Sequence, residues 1–218
     1  MNSVEYWILD NALEEPLPFF YLDSEFDEYN VRRLWGYDRE KLLDGLEAVL
    51  SRDQIAVHDG RSFITSPNRD LLIEFLDSEI KAYRNDGWVA PTYRLSSKGG
   101  NLWEKLTRPS WDHYVSEWLE FDSDEGGGVM ILKASSRERI EQYLLGKETH
   151  HPTSVIRGTE EWESMSPIDI TYWKELPRGQ RFTCRTIYDR KKPTTGEGYR
   201  IWWDSLWEWY TPPEFKVE

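Results

Sequence analysis

The sequence lacks the features that identify secreted and membrane proteins. Among its 218 residues there is a single cysteine, Cys184, so no internal disulfide can form. No run of residues approaches the ~18 consecutive apolar positions that a membrane-spanning helix needs. The segment Met1–Trp7 lacks the basic region and the apolar core of a signal peptide. We therefore expect a protein of the cytoplasm that makes no contact with a membrane.

Lysine and arginine are absent from residues 1–30, although that segment contains eight acidic residues. The whole chain carries 40 Asp and Glu against 27 Lys and Arg, a formal net charge of −13. Affinity for a phosphate backbone comes from an excess of Lys and Arg, so this balance disfavours a nucleic-acid binder. The acidic segment is either a solvated face that keeps the protein in solution or a docking surface for a partner with a basic surface. For docking, the candidate residues are Glu14, Glu15, Asp23, Glu25, Asp27 and Glu28.

Motifs for catalysis, cofactors and metals are also missing. Neither a Gly-x-Ser-x-Gly motif nor a phosphate-binding loop occurs, and Cys184 has no second cysteine at metal-ligand spacing. His150 and His151 are adjacent, so their side chains usually diverge. The run from Asp122 starts like a calcium loop, but its twelfth position is Lys133, where that loop needs a glutamate. We predict no catalytic residue, no cofactor and no metal.

Aromatic residues, by contrast, are abundant, with 12 Trp and 12 Tyr in the chain. This content argues against disorder, because disordered chains contain few aromatic residues. Five aromatic residues fall between positions 202 and 210. On a strand, Trp203, Trp207 and Trp209 would share one face. They either fill the core of a small second domain or form an aromatic surface that anchors a partner.

The pattern along the chain indicates an α+β protein with two lobes. Leucine and valine at helical spacing predict a helix from Asp38, and a hairpin turning at Asp59-Gly60 follows. Trp111–Trp118 predicts a second short amphipathic segment. Residues 122–128, acidic and then glycine-rich, predict a linker. Beyond it we predict a buried strand, a helix with capping-box spacing from Ser135 and several strands, including 199–203. The expected domains are thus 1–121, mostly helical, and 129–218, a small and mainly antiparallel sheet with one helix.

The order helix, hairpin, helix, strand over residues 40–107 leads to Tyr93-Arg94-Leu95-Ser96-Ser97-Lys98-Gly99. This segment resembles the end of the wing in winged-helix proteins, where a Tyr-x-Leu-Thr-x-x-Gly pattern leaves the last wing strand. The resemblance covers about a third of the chain. In that family the helix before the wing recognises DNA and is usually basic. Here that helix is acidic, so the resemblance implies a winged-helix shape that is used for protein contacts; its charged residues are Asp70, Glu74, Asp77 and Glu79 against Arg69, Lys81 and Arg84.

Three functional hypotheses follow. The first, which we favour, is a non-enzymatic interaction protein of the bacterial cytosol, similar in general character to immunity proteins or inhibitors that bind a basic, nucleic-acid-using partner. The acidic N-terminal segment would steer the encounter and the C-terminal tryptophans would anchor it. A second hypothesis is a winged-helix regulator that contacts DNA through Arg61, Arg69, Arg84, Arg94 and Lys98. The third is an enzyme with a site between the lobes.

Overall fold

The computed structural model describes residues 1–23, 37–78, 90–122, 127–188, 197–206 and 208–215. The chain forms two compact units. Unit 1 comprises Met1–Leu106 together with Pro213–Glu218, and unit 2 comprises Thr107–Pro212. Helices and antiparallel sheets are both present, so the α+β class is confirmed.

Unit 1 combines helices with one small antiparallel sheet. Its helices are α1 Ser3–Asp10, α2 Phe20–Asp23, α3 Arg39–Ser51, α4 Arg69–Leu76 and α5 Ser97–Thr107. Its strands are β1 Leu17–Pro18, β2 Ile55–His58, β3 Phe63–Ile64 and β4 Thr92–Leu95, which lie in the order β1-β4-β2-β3.

The unit 1 helices begin where short polar side chains precede apolar runs. Asn2, Asp38 and Asn68 each accept a hydrogen bond from a backbone N–H in the first turn of the helix that follows. Four of the five residues of the stripe predicted on α3 are buried, namely Leu42, Leu43, Leu46 and Val49, and Leu50 is partly buried.

Residues far apart in the sequence hold unit 1 together. Asp10 Oδ1 accepts hydrogen bonds from the Tyr6 hydroxyl and from the Trp103 indole N–H, both at 2.8 Å. The Tyr6 ring also packs against Phe215, with 5.3 Å between ring centroids. The first and last described parts of the chain therefore belong to the same core.

Unit 2 is built on a five-stranded antiparallel sheet. Its strands are β5 Val115–Asp122, β6 Gly127–Ala134, β7 Thr153–Val155, β8 Glu161–Met165, β9 Ile168–Asp169, β10 Glu175–Leu176 and β11 Gly179–Tyr188. The order is β5-β6-β11-β7, with β8 also paired to β11, while β9 and β10 form a separate two-stranded sheet. The helices are α6 Arg137–His150 and α7 Glu197–Ser205.

One face of the five-stranded sheet, here called the covered face, packs against α6 and α7. The buried cluster consists of Met130, Leu132, Ala134, Ile140, Tyr143, Phe182, Cys184 and Trp202. Ser136 caps α6 by accepting a hydrogen bond from the Arg139 backbone N–H, within the predicted capping segment. The α6 helix is therefore present as predicted but begins one residue later than the capping-box spacing from Ser135 indicates.

The predicted linker at 122–128 requires correction. Asp122 pairs with Gly127 and Gly128 pairs with Phe121, so the two sides of this segment belong to the paired strands β5 and β6 inside unit 2. A Cβ on Gly127 would lie 2.1 Å from the Thr186 carbonyl oxygen, so glycine permits the close approach of β11. The chain passes between the units at 106–107 and at 212–213 instead.

Two further predictions for this region were wrong. Residues 199–203 lie in helix α7 and not in a strand, so the described residues of unit 2 form two helices where we predicted one. The segment Trp111–Trp118 does not continue as a helix, because strand β5 begins at Val115.

Candidate functional site

The acidic candidates at the N-terminus differ in their surroundings. Glu14 and Glu15 are exposed. The Asp23 side chain is only 7% exposed and lies 3.5 Å from Arg39 Nε, so it stabilises unit 1 and is not available for docking. Glu25, Asp27 and Glu28 lie outside the described residues. The part of the predicted docking surface that the structure places at the surface therefore reduces to Glu14 and Glu15.

The C-terminal tryptophans do not share a strand face. Trp209 is 3% exposed and packs against Trp111 and Tyr114, with ring centroids 5.0 Å and 4.5 Å away. This burial corrects our assignment of Trp209 to a contact surface, because the side chain fills the core of unit 2. Trp203 belongs to α7, but its side chain and the whole of Trp207 lie outside the described residues.

The basic residues proposed for DNA contact are partly neutralised inside unit 1. Arg69 lies within 2.9 Å of carboxylate oxygens of Glu40, Asp44 and Glu47, three residues on one stripe of α3. Hydrogen bonds to these carboxylates raise the pKa of the Arg69 guanidinium. Arg61 and Arg94 are exposed, Lys98 lies 3.8 Å from Asp53, and Arg84 is outside the described residues.

A buried ion pair joins α6 to strand β5 in unit 2. Lys147, 5% exposed, places its Nζ 2.7 Å and 2.9 Å from the two Glu117 carboxylate oxygens. The Tyr143 hydroxyl donates a hydrogen bond to the same carboxylate. Lys147 and Tyr143 of α6 thus both bind the carboxylate of Glu117 on β5, and these bonds attach the helix to the sheet.

Two other side chains that could be reactive, Cys184 and His151, are buried or hydrogen-bonded within unit 2. Cys184 is buried, and burial, followed by the nearby carboxylates, raises the pKa of its thiol to about 12. His151 Nδ1 accepts the Thr153 backbone N–H at 3.2 Å. Within the described ranges, no group of three or more His, Cys, Asp or Glu side chains is placed to hold a metal ion. Nor does any described helix have the length and apolar character to span a membrane.

The face of the five-stranded sheet opposite α6, here called the open face, carries exposed apolar side chains. Trp118 is 57% exposed, and it lies opposite Ile131 on β6. Ile187, on β11, is 51% exposed. We define the open face by these residues and their neighbours in the sheet: Trp118, Glu120, Val129, Ile131, Arg185 and Ile187.

Sequence reasoning missed Trp118 as a site residue. The available signal was the alternation along β5, where Val115, Glu117 and Leu119 point to the covered face and Trp118 falls between them. The Trp118 side chain therefore lies on the open face, where more than half of its surface is in water. Trp118 adjoins the partly exposed Ile131 and Val129 on this face, and a contiguous exposed apolar patch marks an interaction site more often than a single exposed residue does.

Comparisons with protein-family models, with curated proteins and with solved structures found no match for this chain. The site therefore has to be interpreted from its own geometry and charge.

Proposed function

We propose that this chain is a non-enzymatic protein-interaction protein that binds a partner with a basic surface, as immunity proteins and inhibitors do. The observation that carries the proposal is Trp118, a 57% exposed tryptophan in the middle of a regular strand. Tryptophan is enriched among the residues that dominate binding energy at interfaces, because it buries a large area with few rotatable bonds.

The charge of the chain supports a basic partner. A net charge of −13 raises the rate of encounter with a positively charged protein and repels acidic ones. Glu14 and Glu15 are exposed and belong to a segment without Lys or Arg, so they would contribute to steering. Neutralising both as glutamines should slow association with the partner and weaken its dependence on salt.

Affinity capture with three forms of the chain tests the proposal. The wild type and Leu145→Ala should retain the same basic protein, and Trp118→Ala should lose it. Leu145 is the matched control because it is also an exposed apolar residue, at 69%, but lies on α6. The purified pair should then associate with an affinity that Trp118→Ala reduces at least tenfold, about 1.4 kcal/mol. Equal retention by all three forms would contradict the proposal.

The winged-helix regulator is a second candidate, which one patch in unit 1 favours. The Arg94 guanidinium lies over the Phe63 ring, 4.3 Å from its centroid, and Phe63 and Arg61 are exposed on the β2–β3 hairpin. Exposed aromatic and arginine side chains can contact nucleic acid. A gel shift at low salt that shows no binding to a mixed-sequence duplex would remove this candidate.

A further inference from the structure

Strand β5 lies at an edge of the sheet, and the role that we assign to this edge rests on the proposed function. All eight residues of β5 pair with β6 in one continuous register, from Val115 opposite Ala134 to Asp122 opposite Gly127. No bulge interrupts this ladder, and among the described strands none pairs with the other side of β5. One row of backbone groups of β5 therefore lies at the edge of the sheet.

The opposite edge of the sheet is interrupted in the way that natural proteins use to prevent unwanted pairing. Two short strands share it, β7 with three residues and β8 with five, both paired to β11. The segment between them contains Gly158 at φ 88°, and Pro152 and Pro167 flank the pair of strands. Short strands, turns and prolines hinder the pairing of an edge with a further strand. This edge therefore differs from β5 in both its sequence and its strand length.

Strand β5 has neither the short length nor the turns and prolines of that edge, and all of its charged residues are carboxylic. Its sequence, Val-Ser-Glu-Trp-Leu-Glu-Phe-Asp, contains no proline, lysine or arginine. Lysine is the residue that most often protects an exposed edge. An eight-residue strand of this kind is long enough to accept an added strand through main-chain hydrogen bonds, with side-chain contacts setting the specificity.

The side chains of β5 indicate what the added strand carries. On the open face, Trp118 and Glu120 are both exposed, while Glu117 is already bound to Lys147 on the other side of the sheet. An apolar side chain on the added strand would contact the indole, and a lysine or arginine would face Glu120. Cross-strand pairs of these two kinds stabilise sheets.

We propose that β5 accepts an extended segment of the basic partner as a sixth strand of the sheet, with an apolar and a basic side chain two residues apart so that both lie on the open face. A second copy of this chain fits less well. Pairing β5 with itself would bring Glu120 and Asp122 of both copies to one seam without a cation in either strand, on chains that each carry −13.

A synthetic peptide tests this directly. The probe is the capped eight-residue peptide Val-Thr-Lys-Thr-Val-Thr-Lys-Thr, which places valine and lysine in turn on one face of the strand. Its control has proline in place of every residue except lysine, so it has the same charge but cannot complete a ladder of hydrogen bonds. We expect the valine-containing peptide to bind the full chain and to slow hydrogen exchange of β5 amides at least tenfold. The control peptide should do neither. Equal binding of the two peptides would overturn strand addition in favour of simple charge attraction.

Matched variants locate the binding edge. Glu120→Lys should weaken binding of the valine-containing peptide at least tenfold, whereas Glu161→Lys should leave it unchanged. Glu161 is also exposed and lies on β8, so the same change of charge is made at the opposite edge. If both variants weaken binding equally, the peptide does not select β5 and the inference fails.

Two outcomes separate this inference from the proposed function. If a basic protein is captured through Trp118 but β5 exchange is unchanged in the complex, strand addition is wrong and the proposed function stands. If the peptide binds β5 but no basic protein is captured, the edge is real and the proposed function fails. Protection of β5 in the free chain that rises with protein concentration would replace the basic segment with a second copy as the occupant.

Discussion

The two faces of the five-stranded sheet in unit 2 share one backbone but differ in how far their apolar side chains are exposed to water. The covered face places Met130, Leu132 and Phe182 against α6, and all three are buried. The open face, on the alternate residues of the same strands, leaves Trp118 and Ile187 more than half exposed. Burial of apolar surface on the covered face stabilises the unit, while apolar surface left on the open face contributes little until a partner covers it.

The largest expected effect is on the covered face. Phe182→Ala removes a buried ring that also packs against Trp162, with 4.6 Å between centroids. The change should lower the free energy of unfolding by about 4 kcal/mol because it leaves a cavity. Urea unfolding followed by circular dichroism measures this loss. If Phe182→Ala lowers the free energy of unfolding by less than Trp118→Ala does, the covered face does not stabilise the unit more than the open face.

The next effect concerns the ion pair between α6 and β5. Lys147→Ala leaves the Glu117 carboxylate without its cation in a partly buried site, so we expect a loss of about 3 kcal/mol. The double variant Glu117→Gln with Lys147→Met should recover more than half of that loss, because it removes both charges. The comparison is by urea unfolding of the single and double variants. If the double variant is the less stable of the two, the pair does not act as described.

Alkaline pH offers a smaller and directional test. Burial raises the pKa of Cys184 to about 12, against an ordinary value of 9.0. The folded state therefore favours the neutral thiol, and its contribution to stability is complete below pH 9 and is lost as the pH rises toward 12. Between pH 8 and pH 10 the wild type should lose about 1.4 kcal/mol more than Cys184→Ala. Parallel losses in the two proteins would show that the thiol is accessible to water.

The smallest effect on stability is expected at the open face. Trp118→Ala should change the free energy of unfolding by no more than about 0.5 kcal/mol, since the indole is mostly in water. The same substitution should abolish partner capture. Thermal unfolding of wild type and variant in the absence of partner is the relevant measurement. A large destabilisation would place Trp118 in the core and remove the basis of the proposed function.

Local patterns predicted the elements that depend on local interactions. The α3 helix follows from leucine spacing after Asp38, and α6 follows from Ser136 as its cap. The helix at α7 was missed because its aromatic residues favour strands on average. Their spacing nevertheless fits a helix, since Tyr199, Trp202 and Leu206 lie three and four residues apart and all pack on the core of unit 2.

Features that depend on distant residues could not be read from the sequence. The glycines at the start of β6 indicated a linker. In the structure, Gly127 leaves room for the backbone of Thr186, which is far along the chain, to approach closely. Whether Trp118 or Trp209 is exposed depends on which aromatic residues meet in space. Trp209 contacts Trp111 and Tyr114 across almost a hundred residues of sequence, and no local pattern carries that information.

The packing of Tyr6 against Phe215 fixes the order in which the molecule is completed during synthesis. The ribosome makes every residue of unit 2 before it reaches Phe215, so unit 1 lacks the partly buried Phe215 ring beside Tyr6 until unit 2 has been translated. On the ribosome, the second unit in the sequence is therefore the first whose residues are all present to fold.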